Sequence, residues 1–143
     1  MNNSAQPYVL SRMSGRVLWA TLNRSEAKNP LSSAMIAALK SSITLANDDR
    51  EVKIIVITCS GKVFPAGHDL KEMSDRTLDD PLTREQPVND VLNSCADITM
   101  SLVKSPKAII ACAHVTATAA GCQLVSMCNL ANANKMLVFH SRP

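Results

Sequence analysis

Aromatic residues are scarce in this 143-residue chain: Tyr8, Trp19, Phe64 and Phe139 are all there are. So thin a supply argues against a base-stacking surface for single-stranded nucleic acid. The net charge of +3 is too mild for a nucleic-acid-binding footprint, although it can help attract an anionic group such as a nucleotide phosphate. No apolar run reaches the length of a membrane span. The five cysteines (Cys59, Cys95, Cys112, Cys122 and Cys128) contain no CxxC pair, and most lie in apolar runs. They read as buried small hydrophobes in a reducing compartment, in preference to disulfides or zinc ligands. His68, His114 and His140 form neither HxxxH nor HExxH spacing, so no metal site is expected. The N-terminal stretch MNNSAQPYVLSRMSGR carries two Arg and no acidic residue, but it is too short and too weakly amphipathic for a transit peptide. Internal repeats and low-complexity segments are also lacking.

What remains is the composition of a globular domain, 46% hydrophobic and 19% charged, with enough chain to bury one core. Residues 1–15 are assigned to an N-terminal extension and residues 16–143 to the domain. Arg16–Leu22 predicts a strand and Asn23–Pro30 a polar, Pro-terminated loop. Met35, Leu39, Ile43 and Ala46 recur at helical spacing; Ser32 or Ser33 can cap that helix and Asn47-Asp48-Asp49 ends it. Val52–Thr58 is a β-branched run without polar alternation, as in a strand covered on both faces. A short helix follows at Leu70–Met73, then a mobile charged loop at Asp75–Pro87. Val88 to Val103 has helical periodicity and stops at Pro106. Ala108–Ala113, Leu130–Ala133 and Met136–Phe139 read as strands, and Thr118–Cys128 as a short helix. This alternation predicts an α/β domain with a largely parallel sheet.

Two segments have the make-up of ligand loops. In Gly61–Lys71 (GKVFPAGHDLK), a buried strand delivers small residues, Ala66-Gly67, where backbone can approach a ligand. In Ala117–Leu124 (ATAAGCQL), small residues open a helix just after another buried strand. Unpaired N–H groups there suit a developing negative charge. Taken singly, each segment also reads as an ordinary turn or as close helix–strand packing.

Together, and in this order, they resemble the enoyl-CoA hydratase/isomerase (crotonase) family. FPAGHDLKEM is similar to its FxAGxDLKE motif, TAAGCQLVSMCNLA to its GGGxEL…CDLA motif, and LNRSEAKNPLS to its LNRPxxxNALS entry loop. The resemblance runs from about Arg16 to about Lys135. GHDLKE with ATAAGCQLV is most similar to the enoyl-CoA hydratase domain-containing subgroup.

The resemblance implies a crotonase-like spiral of ββα units, with the C-terminal part of the domain missing where the chain stops after a hydrophobic strand. It further implies an acyl-CoA thioester as ligand, with coenzyme A entering as part of the substrate and no separate cofactor. The backbone N–H groups of His68 and Ala120 would form an oxyanion hole. Ala66, Gly67, His68, Asp69, Leu70 and Lys71 would border the coenzyme A, with Lys71 and Lys28 near its phosphates. For both Lys a solvated surface charge is an equal reading. Gln123 stands where active hydratases have a Glu, and a second Glu has no counterpart. Gln cannot titrate, so efficient two-carboxylate hydration is not expected. Asn129 stands where Asp is usual, Pro30 where Ala is usual, and His114-Val115 where Asn-Gly is usual.

The expectation is an acyl-CoA-binding protein of fatty-acid metabolism. A non-catalytic truncated isoform or interaction fragment is one alternative, and a lyase or isomerase using other acid/base groups is another. By family the location is mitochondrial, with cytoplasmic as the alternative. By family, too, the protein is a homo-oligomer, although the shortened chain weakens that expectation.

Overall fold

The structure, a computed structural model, describes residues 6–74, 81–114, 116–133 and 139–140. Strands β1 (Val9–Ser14) and β2 (Val17–Leu22) form an antiparallel hairpin. Its two-residue turn needs a left-handed backbone, which Gly15 supplies at φ 59°. Within the 1–15 segment read as an extension, β1 is therefore a strand of the sheet. A 3-10 turn at Ser25–Ala27 leads into α1 (Ser33–Asp48). The Ser32 side chain accepts the Met35 N–H at 3.2 Å, and Met35, Ile36, Leu39, Ile43 and Ala46 face the core. Each fully buried Leu or Ile on that face contributes about 1.5–3 kcal/mol.

The chain then alternates long and very short strands. β3 (Ile54–Cys59) and β4 (Val63–Phe64) precede α2 (Leu70–Ser74) and α3 (Pro81–Val103). β5 (Ala108–Ala113) and β6 (Thr116–Thr118) precede α4 (Ala120–Ser126). β7 (Leu130–Ala133) and β8 (Phe139–His140) follow. One sheet has the order β1-β2-β3-β5-β7, parallel except for β1; the other is a parallel β4-β6-β8 sheet. The first turn gives both of its strands to the larger sheet; from β3 onward each pair of successive strands gives one to each sheet. This is the ββα spiral expected of the fold class.

Four local expectations are corrected or completed. The one-strand-per-helix order missed β4 and β6, which are two and three residues long and leave no period to read. Thr116–Thr118 is strand, so the helix expected from Thr118 begins at Ala120. Of the loop expected over Asp75–Pro87, residues 75–80 lie outside the described residues, and the helix already begins at Pro81. A proline in the first turn loses no helical hydrogen bond there, while Pro87 further along forgoes one. Met136–Val138, expected as strand, also lie outside the described residues.

The core lies between the larger sheet and helices α1 and α3, with Leu22, Leu39, Ile43, Ile55, Ile57 and Ile109 fully enclosed. Among the described residues, no helix is long and apolar enough to cross a membrane.

Candidate functional site

The two small-residue segments leave the smaller sheet at the same end of its strands. β4 and β6 run parallel, with Val63 opposite Thr116 and Phe64 opposite Ala117. The residues that follow each strand are therefore delivered side by side. One hydrogen bond fastens them, and two glycines let the backbones come close. Thr118 Oγ1 donates to the Ala66 carbonyl at 2.9 Å. Gly121 lies under Pro65 with no room for a side chain: a Cβ there would meet the Pro65 carbonyl oxygen at 2.2 Å. A Cβ on Gly67 would meet that of Ala119 at 3.3 Å. Gly67 has φ 113° and Ala119 has φ 46°, a left-handed region in which only Gly is at ease.

The residues after this pair are His68 and Ala120. Neither backbone N–H has an acceptor among the described residues, whereas the neighbouring Cys122 and Gln123 N–H groups both bond the Ala119 carbonyl. The fold thus sets side by side two backbone segments that each carry an unsatisfied donor. Both residues are only partly buried, and backbone donors left open in this way pair readily with an external oxygen.

A third segment braces the first. Asn29 is fully buried; its Nδ2 donates to the Ser60 and Val63 carbonyls at 2.8 and 2.9 Å, and its Oδ1 accepts the Arg24 N–H at 2.7 Å. Next to it, the Lys28 carbonyl accepts the Ala66 N–H at 3.2 Å, and the Leu31 N–H bonds the Gly67 carbonyl at 2.8 Å. Lys28 itself is exposed, so its backbone rather than its ammonium touches the site loop.

Beyond this loop lies a cleft of about 350 Å³ lined by Tyr8, Arg24, Pro30, Asp69, Lys71 and Glu72, among others. The Asp69 carboxylate accepts the Lys71 and Glu72 N–H groups at 3.0 and 3.4 Å, which caps α2, and Glu72 accepts the Ser33 N–H at 2.8 Å. The cleft's cations are Lys71 and Arg24. Arg24 lies 4.8 Å above the Tyr8 ring and 2.7 Å from Glu26. The sequence points to Lys28 in place of Arg24, and only the LNRSEAKNP loop, which carries both, marks the place. Leu70 stands largely in solvent.

The remaining side chains divide clearly. The His68 ring turns to α3, where Nδ1 lies 3.3 Å from the Cys95 sulfur. Burial pushes the thiols of Cys95 and Cys122 upward, and the Cys122 thiol donates to the Ala117 carbonyl at 3.4 Å. Gln123 is exposed, and its carboxamide makes no hydrogen bond among the described residues. His114 is exposed just past β5. Asn129 exchanges two bonds with Ile109, one from its N–H and one to its Oδ1, fixing the approach to β7. Among the described residues no three His, Cys, Asp or Glu side chains cluster as a metal site would require.

Comparison with known proteins agrees with this architecture. Enoyl-CoA hydratase domain-containing protein 3, mitochondrial, of Danio rerio is 33% identical over 139 residues, which cover 97% of this chain and 46% of that protein. A probable mitochondrial enoyl-CoA hydratase of Dictyostelium discoideum is 39% identical over 125 residues, 87% of this chain and 42% of that one. The chain therefore spans somewhat less than half the length of these two relatives. The crystal structure of human enoyl-CoA hydratase domain-containing protein 3 superposes with a TM-score of 0.85 at 32% identity, covering 95% of this chain and 51% of that one. The profile described as enoyl-CoA hydratase/isomerase matches residues 12–141, and with it the chain belongs to that family.

Proposed function

We propose that this chain binds an acyl-CoA thioester, with the thioester oxygen between the His68 and Ala120 N–H groups and the nucleotide end toward the Arg24–Lys71 cleft. The observation that carries the reading is the close approach of Gly67 to Ala119, which sets the unsatisfied donors of the next residues on adjoining segments. Two N–H groups aimed at one oxygen stabilise an enolate-like charge better than a neutral carbonyl. The role belongs to fatty-acid metabolism, in the compartment that the relatives' mitochondrial names indicate.

Efficient hydration is not part of the proposal. Adding water to a conjugated thioester needs groups that take up and deliver protons. Gln123 cannot do either. Calorimetric titration with crotonyl-CoA and acetyl-CoA tests binding; no heat, together with an unchanged unfolding midpoint, would rule it out. Turnover of crotonyl-CoA at hydratase-like rates would overturn the claim about activity.

A second reading, self-association through a strand edge, is favoured by β7. Its four residues are all exposed, with Leu130 at 64%, and among the described residues it lies at the edge of the larger sheet. Size-exclusion chromatography separates the cases: a monomer across a wide concentration range would dismiss it.

A further inference from the structure

His68 is used twice. Its backbone N–H is one of the two donors at the site, while its imidazole reaches α3 and meets Cys95 at 3.3 Å. Cys95 is 8% exposed, and this ring nitrogen is the only partner of its sulfur among the described residues. The sulfur is thus one imidazole and one hydrogen bond away from the donor that would hold a thioester oxygen. A thiol, a base within reach of its proton, and two donors for an oxyanion are the parts of acyl transfer to sulfur. Hydration has no use for the pair, and the core does not require it, because a buried Cys packs as a small hydrophobe without a partner.

We propose that Cys95 is an acyl-accepting residue: it takes the acyl group from a bound acyl-CoA, giving an S-acyl cysteine and free coenzyme A. The inference rests on the thioester-binding reading above. In the Nε2-protonated tautomer, His68 Nδ1 accepts the thiol proton while the sulfur attacks the thioester carbon. The carbonyl electron pair moves onto oxygen, where the His68 and Ala120 N–H groups hold it. When the oxygen pair returns, the bond from carbon to the coenzyme A sulfur breaks. That sulfur leaves with the bonding pair and takes the proton from Nδ1. One thioester replaces another, and nothing is oxidised or reduced. Burial keeps the Cys95 thiol protonated at rest, so transfer depends on proton removal by the imidazole during attack.

The test incubates the chain with butyryl-CoA and follows intact mass and released coenzyme A thiol, with binding measured in parallel by calorimetry. One butyryl group, mapped to Cys95 and removed by hydroxylamine, is expected, with stoichiometric coenzyme A. Cys95→Ala loses the adduct while keeping a cooperative unfolding transition. His68→Gln, which keeps the backbone N–H and a side chain of similar reach, slows transfer about a hundredfold. Calorimetric binding without acylation of Cys95, or acylation at another cysteine, overturns this proposal and leaves the binding site standing. Absence of both binding and adduct overturns the two together.

Discussion

Gly121 and Pro65 are in contact so close that the glycine's missing side chain is itself a structural element: a Cβ at Gly121 would sit 2.2 Å from the Pro65 carbonyl oxygen. That oxygen is backbone, held between β4 and the site loop, and cannot turn aside. Gly121→Ala is expected to push α4 off the Pro65–Gly67 segment and to lower stability by about 1–3 kcal/mol, the usual cost of overpacking. Acyl-CoA binding should fall further than stability does, since the two donor segments separate. Urea unfolding alongside calorimetry checks both; wild-type values would show that the helix can shift without loss.

Ala119 calls for a change of opposite sign. With φ 46° and ψ −119° it occupies a conformation that costs a non-glycine residue about 1–3 kcal/mol. Ala119→Gly removes that strain, while greater freedom in the unfolded chain offsets part of the gain. A net stabilisation of about 1 kcal/mol is expected, read as a higher urea midpoint with an unchanged slope. A destabilised variant would contradict the assigned backbone.

Asn29 holds two carbonyls and one N–H with a single carboxamide. Asn29→Ala leaves all three without their partner and is expected to cost about 2–4 kcal/mol. Asn29→Asp should be worse near neutral pH, because a carboxylate would face the Ser60 and Val63 carbonyls with no proton to donate. Its deficit should shrink in acid, where the protonated form donates once. Denaturation of both variants at pH 7 and pH 4 provides the comparison.

Alkaline stability is set in part by two thiols. Burial raises Cys59 and Cys128 to about 11 from an ordinary 9.0, with Cys112 adding to the effect at Cys59. The folded state holds these protons more tightly than the unfolded chain does. Their stabilising contribution is therefore complete below pH 9 and is lost as pH rises towards 11. Unfolding midpoints should decline across that window, and Cys128→Ala should flatten the decline. At pH 8, alkylation mapped by mass should leave both thiols largely unmodified in the folded protein.

How far the sequence was legible follows element length. Met35, Leu39, Ile43 and Ala46 marked α1 and Ser32 its cap, because helical period and a capping hydroxyl are local signals. The β-branched run at Val52–Thr58 was equally plain, although the strand itself is Ile54–Cys59. β4 and β6 were not, because two or three residues carry no period and owe their state to each other. The motif glycines pointed to the site loop, and the structure gives the reason: Gly67 and Gly121 stand where backbone must pass backbone. Neither Asn29 as a brace nor the His68–Cys95 contact was readable. Each joins residues about thirty positions apart in the chain, and only the completed spiral brings them together.

The alternation of strands between two sheets also bears on how the chain folds. Each parallel pair of the larger sheet forms only across an intervening helix, and from β3 onward across a strand of the smaller sheet as well: Val17 waits for Ile54, Ile54 for Ala108, and Ile110 for Leu130. Such loops must close, at an entropic cost, before their contacts return any stability. The β1–β2 hairpin is different, because Ser14 meets Val17 across a two-residue turn. It can form on the microsecond scale, while the parallel pairs assemble slowly. Substitutions that weaken the hairpin should leave the speed of that slow step nearly unchanged.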